Sequence, residues 1–243
     1  MTMRTMAVLC VVLVGSGVTA FAQTPTPARP QTTPPAPTTP VAPVEDAEMT
    51  ALRAKATAGD ATSQSEMGFY YEIRQDYAQA VSWFRKAAHQ GHPKAQNQLG
   101  LAYALGLGVT QDYAQAVAWY RKSAEQGDVK AQNNLGVLYD TGRGVPQDYA
   151  QAVSWYRKAA DQGDAFAQNN LGMLYAKGHG VPQDYVSAYF WHTVAGARGT
   201  YDTQKEAAKN RDDIAAKMTP QQVADAQELA REWLAAFQKR GGK

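Results

Sequence analysis

Four copies of one phrase, set at a fixed interval, limit what this chain can fold into more than any local feature does. QDYAQAVSWFRKAA begins at Gln75, QDYAQAVAWYRKSA at Gln111 and QDYAQAVSWYRKAA at Gln147; a worn copy, QDYVSAYFWHTVAG, begins at Gln183. The interval is 36 residues each time, and the upstream pairs Leu99-Gly100, Leu135-Gly136 and Leu171-Gly172 keep the same period. A repeat of this length is one supersecondary unit that cannot bury its apolar face alone; stacked copies bury it against one another. The expected fold is an all-α, right-handed superhelical solenoid of antiparallel helix pairs, with capping helices at both ends. Such a fold is mainly a shaped surface, which weighs against an enzyme.

Each unit carries its own punctuation. In the unit spanning 92–127, Pro93 suits the first helical position, where a missing N–H costs nothing. Asp128 and Asp164 stand at the equivalent starts of the later units and can cap free amides. Ala95, Leu99, Ala102 and Tyr103 fall on one face at helical spacing, the pattern of a buried stripe. Gly100 lets the paired helix approach closely. Gly106-Leu107-Gly108 then ends the helix, as do Gly142-Arg143-Gly144 and Gly178-His179-Gly180. With no third glycine and no preceding strand, this G-x-G reads as a turn, its middle residue in a solvent-facing slot, and not as a phosphate cradle. Asp112 with Gln115 reads as a capping box opening the second helix, repeated at Asp76/Gln79 and Asp148/Gln151. Tyr113, Ala116, Val117, Tyr120 and Ala124 form that helix's buried stripe, with Trp119 beside it.

Two segments precede the repeats. Residues 1–22 read as a secretory signal: Arg4, an apolar run from Ala7 to Val14 too short to span a bilayer, and Ala20-Phe21-Ala22 as the cleavage site. Residues 23–44 hold eight of the twelve prolines and read as a Pro/Thr-rich disordered linker. Cleavage after Ala22 would remove Cys10, the single cysteine, and leave neither a disulfide nor a catalytic thiolate. It would also remove Arg4, bringing the formal charge from +2 to +1, too balanced for nucleic acid or an anionic membrane as main partner. No stable membrane insertion is expected after cleavage. The expected location is the periplasm of a Gram-negative bacterium, with release from the cell as the alternative.

The solenoid itself is placed at 45–240: a cap helix at 45–58, repeats at about 60–91, 92–127, 128–163 and 164–199, and cap helices across 202–239. The first repeat is four residues short because MGFYYEIRQDY replaces LGLAYALGLGVTQDY, so its turn must be tighter. Beyond residue 200 the period stops. Helices are expected at about 202–218 and 220–239, the last opening on Thr219-Pro220.

Ala131 to Gly163, AQNNLGVLYDTGRGVPQDYAQAVSWYRKAADQG, satisfies the pattern A-x-x-x-L-G-x-x-Y-x-x-G-x-G-V-x-Q-D-Y-x-x-A-x-x-W-[YF]-x-K-[AS]-A-x-Q-G throughout. On these residues the chain resembles the Sel-1-like repeat family, relatives of the tetratricopeptide repeats, over roughly residues 60–200. The resemblance implies a protein-interaction scaffold of the kind that serves as an adaptor in signalling, envelope processes and host contact. It also implies that the first helices line the concave side.

The candidate site follows from that placement. Away from the Leu/Tyr stripe, helical spacing sets Phe69, Leu101, Val137 and Met173 in one apolar row and Asn97, Asn133 and Asn169 in an amide row, with Asp140 nearby. An apolar row beside amides that both donate and accept would grip an extended or helical segment. The competing reading gives the asparagines the structural task of bonding neighbouring helices, with Asn134 and Asn170 as further candidates. The Arg-Lys pairs at 85–86, 121–122 and 157–158 read as a solvated face near helix C-termini. An alternative function is an envelope structural protein associated with glycan or peptidoglycan. That reading would want Trp83, Trp119 and Trp155 exposed, whereas their recurrence at one helix position favours packing. A hydrolase is the weakest reading. His89, His92, His179 and His192 fall at unrelated repeat positions, and no nucleophile elbow, zinc motif or P-loop appears. No catalytic residue, metal or cofactor is expected; the expected partner is a protein or peptide, and a monomer is favoured.

Overall fold

The structure, a computed structural model, describes residues 47–241. The signal and linker expected over 1–22 and 23–44 lie outside them, as do Glu45 and Asp46 of the expected cap helix. Among the described residues every regular element is helical: α1 Ala47–Thr57, α2 Ala61–Ile73, α3 Tyr77–His89, α4 Pro93–Leu105, α5 Tyr113–Glu125, α6 Val129–Thr141, α7 Tyr149–Asp161, α8 Ala165–Lys177, α9 Tyr185–Arg198, α10 Tyr201–Ala215 and α11 Pro220–Lys239. The helices α2/α3, α4/α5, α6/α7 and α8/α9 pair off, and each pair packs on the next, which is the solenoid arrangement. Helix α1 packs on α2, while α10 and α11 both pack on α9.

Capping sets the boundaries. Asp60, Asp128 and Asp164 accept the amide three residues on at the starts of α2, α6 and α8. His92 does the same for α4 through Nδ1, 3.3 Å from the Ala95 amide. At α3, α5 and α7 the aspartates cap as expected, but the reciprocal glutamine half of a capping box forms only at α11, between Thr219 and Gln222. The glutamine before each capping aspartate holds the loop instead. The Nε2 groups of Gln111, Gln147 and Gln183 donate to the carbonyls of Ala104, Asp140 and Ala176, seven residues back, at 2.8, 2.6 and 2.9 Å.

The core is built from one contact repeated. Phe84, Tyr120, Tyr156 and His192 each lay a ring on the glycine of the paired first helix; a Cβ on Gly136 would stand 2.6 Å from the Tyr156 ring. In the loop, the second glycine of G-x-G is needed for a different reason. Gly144 has φ +74°, and a Cβ there would reach 2.4 Å from the backbone of Tyr113 in the preceding repeat. The middle residue of the loop faces solvent at Arg143 as expected, where it still reaches the Tyr113 hydroxyl at 3.5 Å, but His179 is half-buried, its ring tilted over Tyr149 at 4.4 Å. In the shortened first repeat the tight turn is made by Gln75, the one non-glycine at positive φ among the described residues, at 61°. Helix α10 ends at Ala215, short of the expected 218, because Lys217 and Met218 turn back onto Ile214 and Ala215.

Candidate functional site

The first helices α2, α4, α6 and α8 repeat one layout. Leu99, Leu135 and Leu171 are sealed, each at 0% exposure, whereas two residues further on Leu101, Val137 and Met173 are only half-buried, with Phe69 equivalent in α2. Leu101 and Val137 rest on the main core cluster, and Phe69 meets Phe84 edge-on at 5.1 Å. The apolar row therefore has its base in the core and an edge left open.

The amide row is tied into the stack. Asn134 Nδ2 donates to Asn97 Oδ1 at 3.2 Å, and Asn170 Nδ2 to Asn133 Oδ1 at 3.3 Å, each across one repeat boundary. Asn169 Oδ1 accepts from Asn210 of α10 at 3.2 Å and from His192 Nδ1 at 2.9 Å. An amide oxygen only accepts, so Nδ1 carries the hydrogen. Burial pulls the His192 imidazole down to about 4. Asn97 and Asn169 are buried and Asn133 is half-buried. Their oxygens order neighbouring repeats, while the apolar row beside them stays partly exposed.

Two carboxyls sit at the C-terminal edge of the face. Glu72 is half-buried; burial pushes it up, and Gln98 Nε2, 3.0 Å from both oxygens, holds it down. Asp140, at the equivalent position two repeats on, is likewise half-buried and pushed up by burial, offset by Lys177, the Tyr156 hydroxyl at 3.4 Å, and His179.

A second ladder escaped the sequence reading. Gln64, Gln96, Gln132 and Gln168 are buried, and each Nε2 donates to a carbonyl at the end of the preceding helix: Ala56, Ala88, Ala124 and Ala160. The oxygens of the first three accept from Gln90, Gln126 and Gln162, the residues that cap the C-terminal ends of α3, α5 and α7, at 2.7–2.8 Å. At the fourth repeat that partner position is Arg198, and Gln168 Oε1 is buried without a partner. The recurrence of glutamine at these places was the available signal.

The opposite face is also engaged. Arg85, Arg121 and Arg157 reach the tyrosine hydroxyls of the next repeat, Tyr103, Tyr139 and Tyr175. Lys86, Lys122 and Lys158 lie 3.9–4.2 Å from the Trp83, Trp119 and Trp155 ring centroids. The Arg-Lys pairs are exposed, as expected of a solvated face, and lean on these rings from it. Trp119 and Trp155 are buried and Trp83 is half-buried, which withdraws them as a platform for a sugar ring. Among the described residues no group of three or more His, Cys, Asp or Glu is placed to hold a metal ion, and no helix is long and apolar enough to cross a membrane.

Comparison with known proteins places this arrangement. The Sel1 repeat model matches four times, at residues 61–92, 93–128, 129–164 and 165–199, more than half of the chain. A crystal structure of c5321, a protective antigen present in uropathogenic Escherichia coli strains and displaying an SLR fold, is similar at 45% identity and TM-score 0.61, over 63% of this chain and 34% of that one. A Sel1 repeat protein from Oxalobacter formigenes is similar at 34% identity and TM-score 0.59, over 68% of this chain and 50% of that one. Over 69 residues the chain is 35% identical to the ERAD-associated E3 ubiquitin-protein ligase component HRD3A of Arabidopsis thaliana, covering 26% of this chain but 10% of that protein. The chain thus spans a tenth to a half of the length of these relatives. Sel1 repeat proteins are generally protein–protein interaction scaffolds. Four matched repeats, stacked as helix pairs, make this chain a member of the Sel1 repeat family.

Proposed function

We propose that this protein is an exported scaffold that holds a segment of a protein partner along its first-helix face. One observation carries the reading: Phe69, Leu101, Val137 and Met173 occupy one repeat position and stay partly exposed, while the leucines two residues earlier in the last three repeats are sealed. An apolar row on rigid helices, with its flanking amides fixed by the stack, is preorganised for a chain laid across the repeats. Export rests on the charged start, short apolar run and Ala20-Phe21-Ala22 of the first 22 residues.

The test is in-cell crosslinking from a photoreactive residue at position 137, with position 122 on the opposite face as control. Crosslinks to one discrete protein from 137 alone are expected. Crosslinks from both positions, or from neither, would sink the reading. The double variant Leu101→Glu with Val137→Glu should retain its helicity by circular dichroism and lose partner capture; capture by the folded variant would equally rule the face out. For export, the mature chain recovered from cells should begin at Gln23.

A further inference from the structure

The proposed face carries a charge pattern as well as an apolar one. At the repeat position shared by residues 72, 104, 140 and 176, carboxylates alternate with alanines: Glu72, Ala104, Asp140, Ala176. Among the described residues neither carboxylate has a cation within ion-pair distance. The partners they do have, the Gln98 amide and the Tyr156 hydroxyl, are neutral donors that leave the negative charge standing. Lys177, beyond ion-pair distance, offsets the burial of Asp140 more than the Tyr156 hydroxyl does, with His179 weaker, whereas the offset at Glu72 comes from the neutral Gln98. Lys94 and Lys130 lie in the first turns of α4 and α6, about 15 Å along the helix from the level of these carboxylates. Both acids are half-buried, where water screens poorly and an incoming cation gains more than at an open surface. Next to them run the open edges of Phe69, Leu101 and Val137.

Resting on the reading of this face as a binding surface, we infer that its occupant is an extended protein segment with two lysine or arginine side chains at least about seven residues apart and apolar side chains between them. The spacing comes from geometry. Glu72 and Asp140 are two repeats apart, and successive first helices touch far less than the two helices of one pair do, so each step exceeds the roughly 8–10 Å of closely packed helices and two steps exceed about 20 Å. An extended chain needs more than about six residues at 3.3 Å each to cover that distance. One basic side chain would meet Glu72, the next Asp140, and those between would lie over Leu101 and its neighbours.

The test is selection from a random 16-residue peptide library displayed on phage, against the wild type, Glu72→Gln/Asp140→Asn and Leu101→Glu/Val137→Glu, each first shown to be folded by circular dichroism. The wild type should enrich peptides with paired basic residues at that spacing around apolar ones. The amide variant should still enrich apolar peptides but lose the basic pair, and should bind a synthetic wild-type-selected peptide about fivefold more weakly for each carboxylate removed. The Glu variant of the apolar row should enrich nothing. Peptides without basic bias from the wild type, or the same basic pair from the amide variant, would overturn this inference and leave the binding face intact. Equal enrichment by the Leu101→Glu/Val137→Glu variant, or none by the wild type, would remove the binding face and the inference together.

Discussion

At the scale of single residues, the ring-on-glycine contact decides more than any other. Gly136→Ala should destabilise the fold by about 1–3 kcal/mol, because the Tyr156 ring cannot retreat in a packed core. Helix propensity alone predicts the opposite sign, so denaturant midpoints of the two proteins separate the effects. His192 occupies the same position in the last repeat and adds a pH dependence. Its folded-state value of about 4 lies below the unfolded 6.5. Between those values the unfolded chain binds more protons, so falling pH favours unfolding. The full loss, reached below pH 4, is about 3 kcal/mol. His192→Phe, which copies the ring at Phe84, should remove that part of the slope; identical stability–pH curves for the two proteins would refute it. Gln75 offers a gain: Gln75→Gly should raise stability by about 0.5–1 kcal/mol, because glycine takes positive φ without steric cost. The leucine stripe was legible in the sequence because its spacing is helical, and the glycines because they recur every 36 residues. The ring partner of each glycine was not, since it lies across the pair and is set by packing.

At the scale of elements, hydrogen bonds from glutamine and asparagine join what the apolar stripes merely bring together. Gln132 illustrates the stake. It is buried, donates to the Ala124 carbonyl and accepts from Gln162 across the repeat boundary. Gln132→Met should cost about 2 kcal/mol, since it strands polar groups that water cannot reach. Gln115→Met, at the exposed third residue of α5 where no reciprocal cap bond forms, should change stability by less than about 0.5 kcal/mol. Equal effects in urea melts would show the ladder to be incidental. Helix starts were readable because an aspartate or a threonine with proline is local chemistry. The ladders were not, because their partners lie 30 and 37 residues apart and emerge only once the helices are stacked. For the same reason the sequence left open whether the asparagines served a ligand or the stack. The apolar row was readable as a pattern, because its members share one repeat position.

At the scale of the whole molecule, stability should follow from neighbours alone. Removing one complete period, residues 128–163, sets Gln168 against Ala124, Asn170 against Asn97 and Tyr175 against Arg121, each pairing chemically what the intact chain already pairs. The shortened protein should keep its helicity per residue and melt cooperatively, with a denaturant slope reduced roughly in proportion to the surface removed. Loss of a cooperative transition would show that the repeats are not interchangeable. The right-hand end is different: Trp233 stacks on Phe237 at 4.9 Å and meets Trp191 at 6.1 Å, while Arg198 lies 4.2 Å from the Phe237 ring where a glutamine would otherwise sit. The array is closed there by other chemistry, and units can be gained or lost only ahead of it. A junction that accepts any unit after any other makes reach a matter of copy number. Duplication of a 36-residue block lengthens the molecule by one ready-made step, with no new joint to invent, and the side chain at position 101 or 137 of each copy is then free to diverge alone.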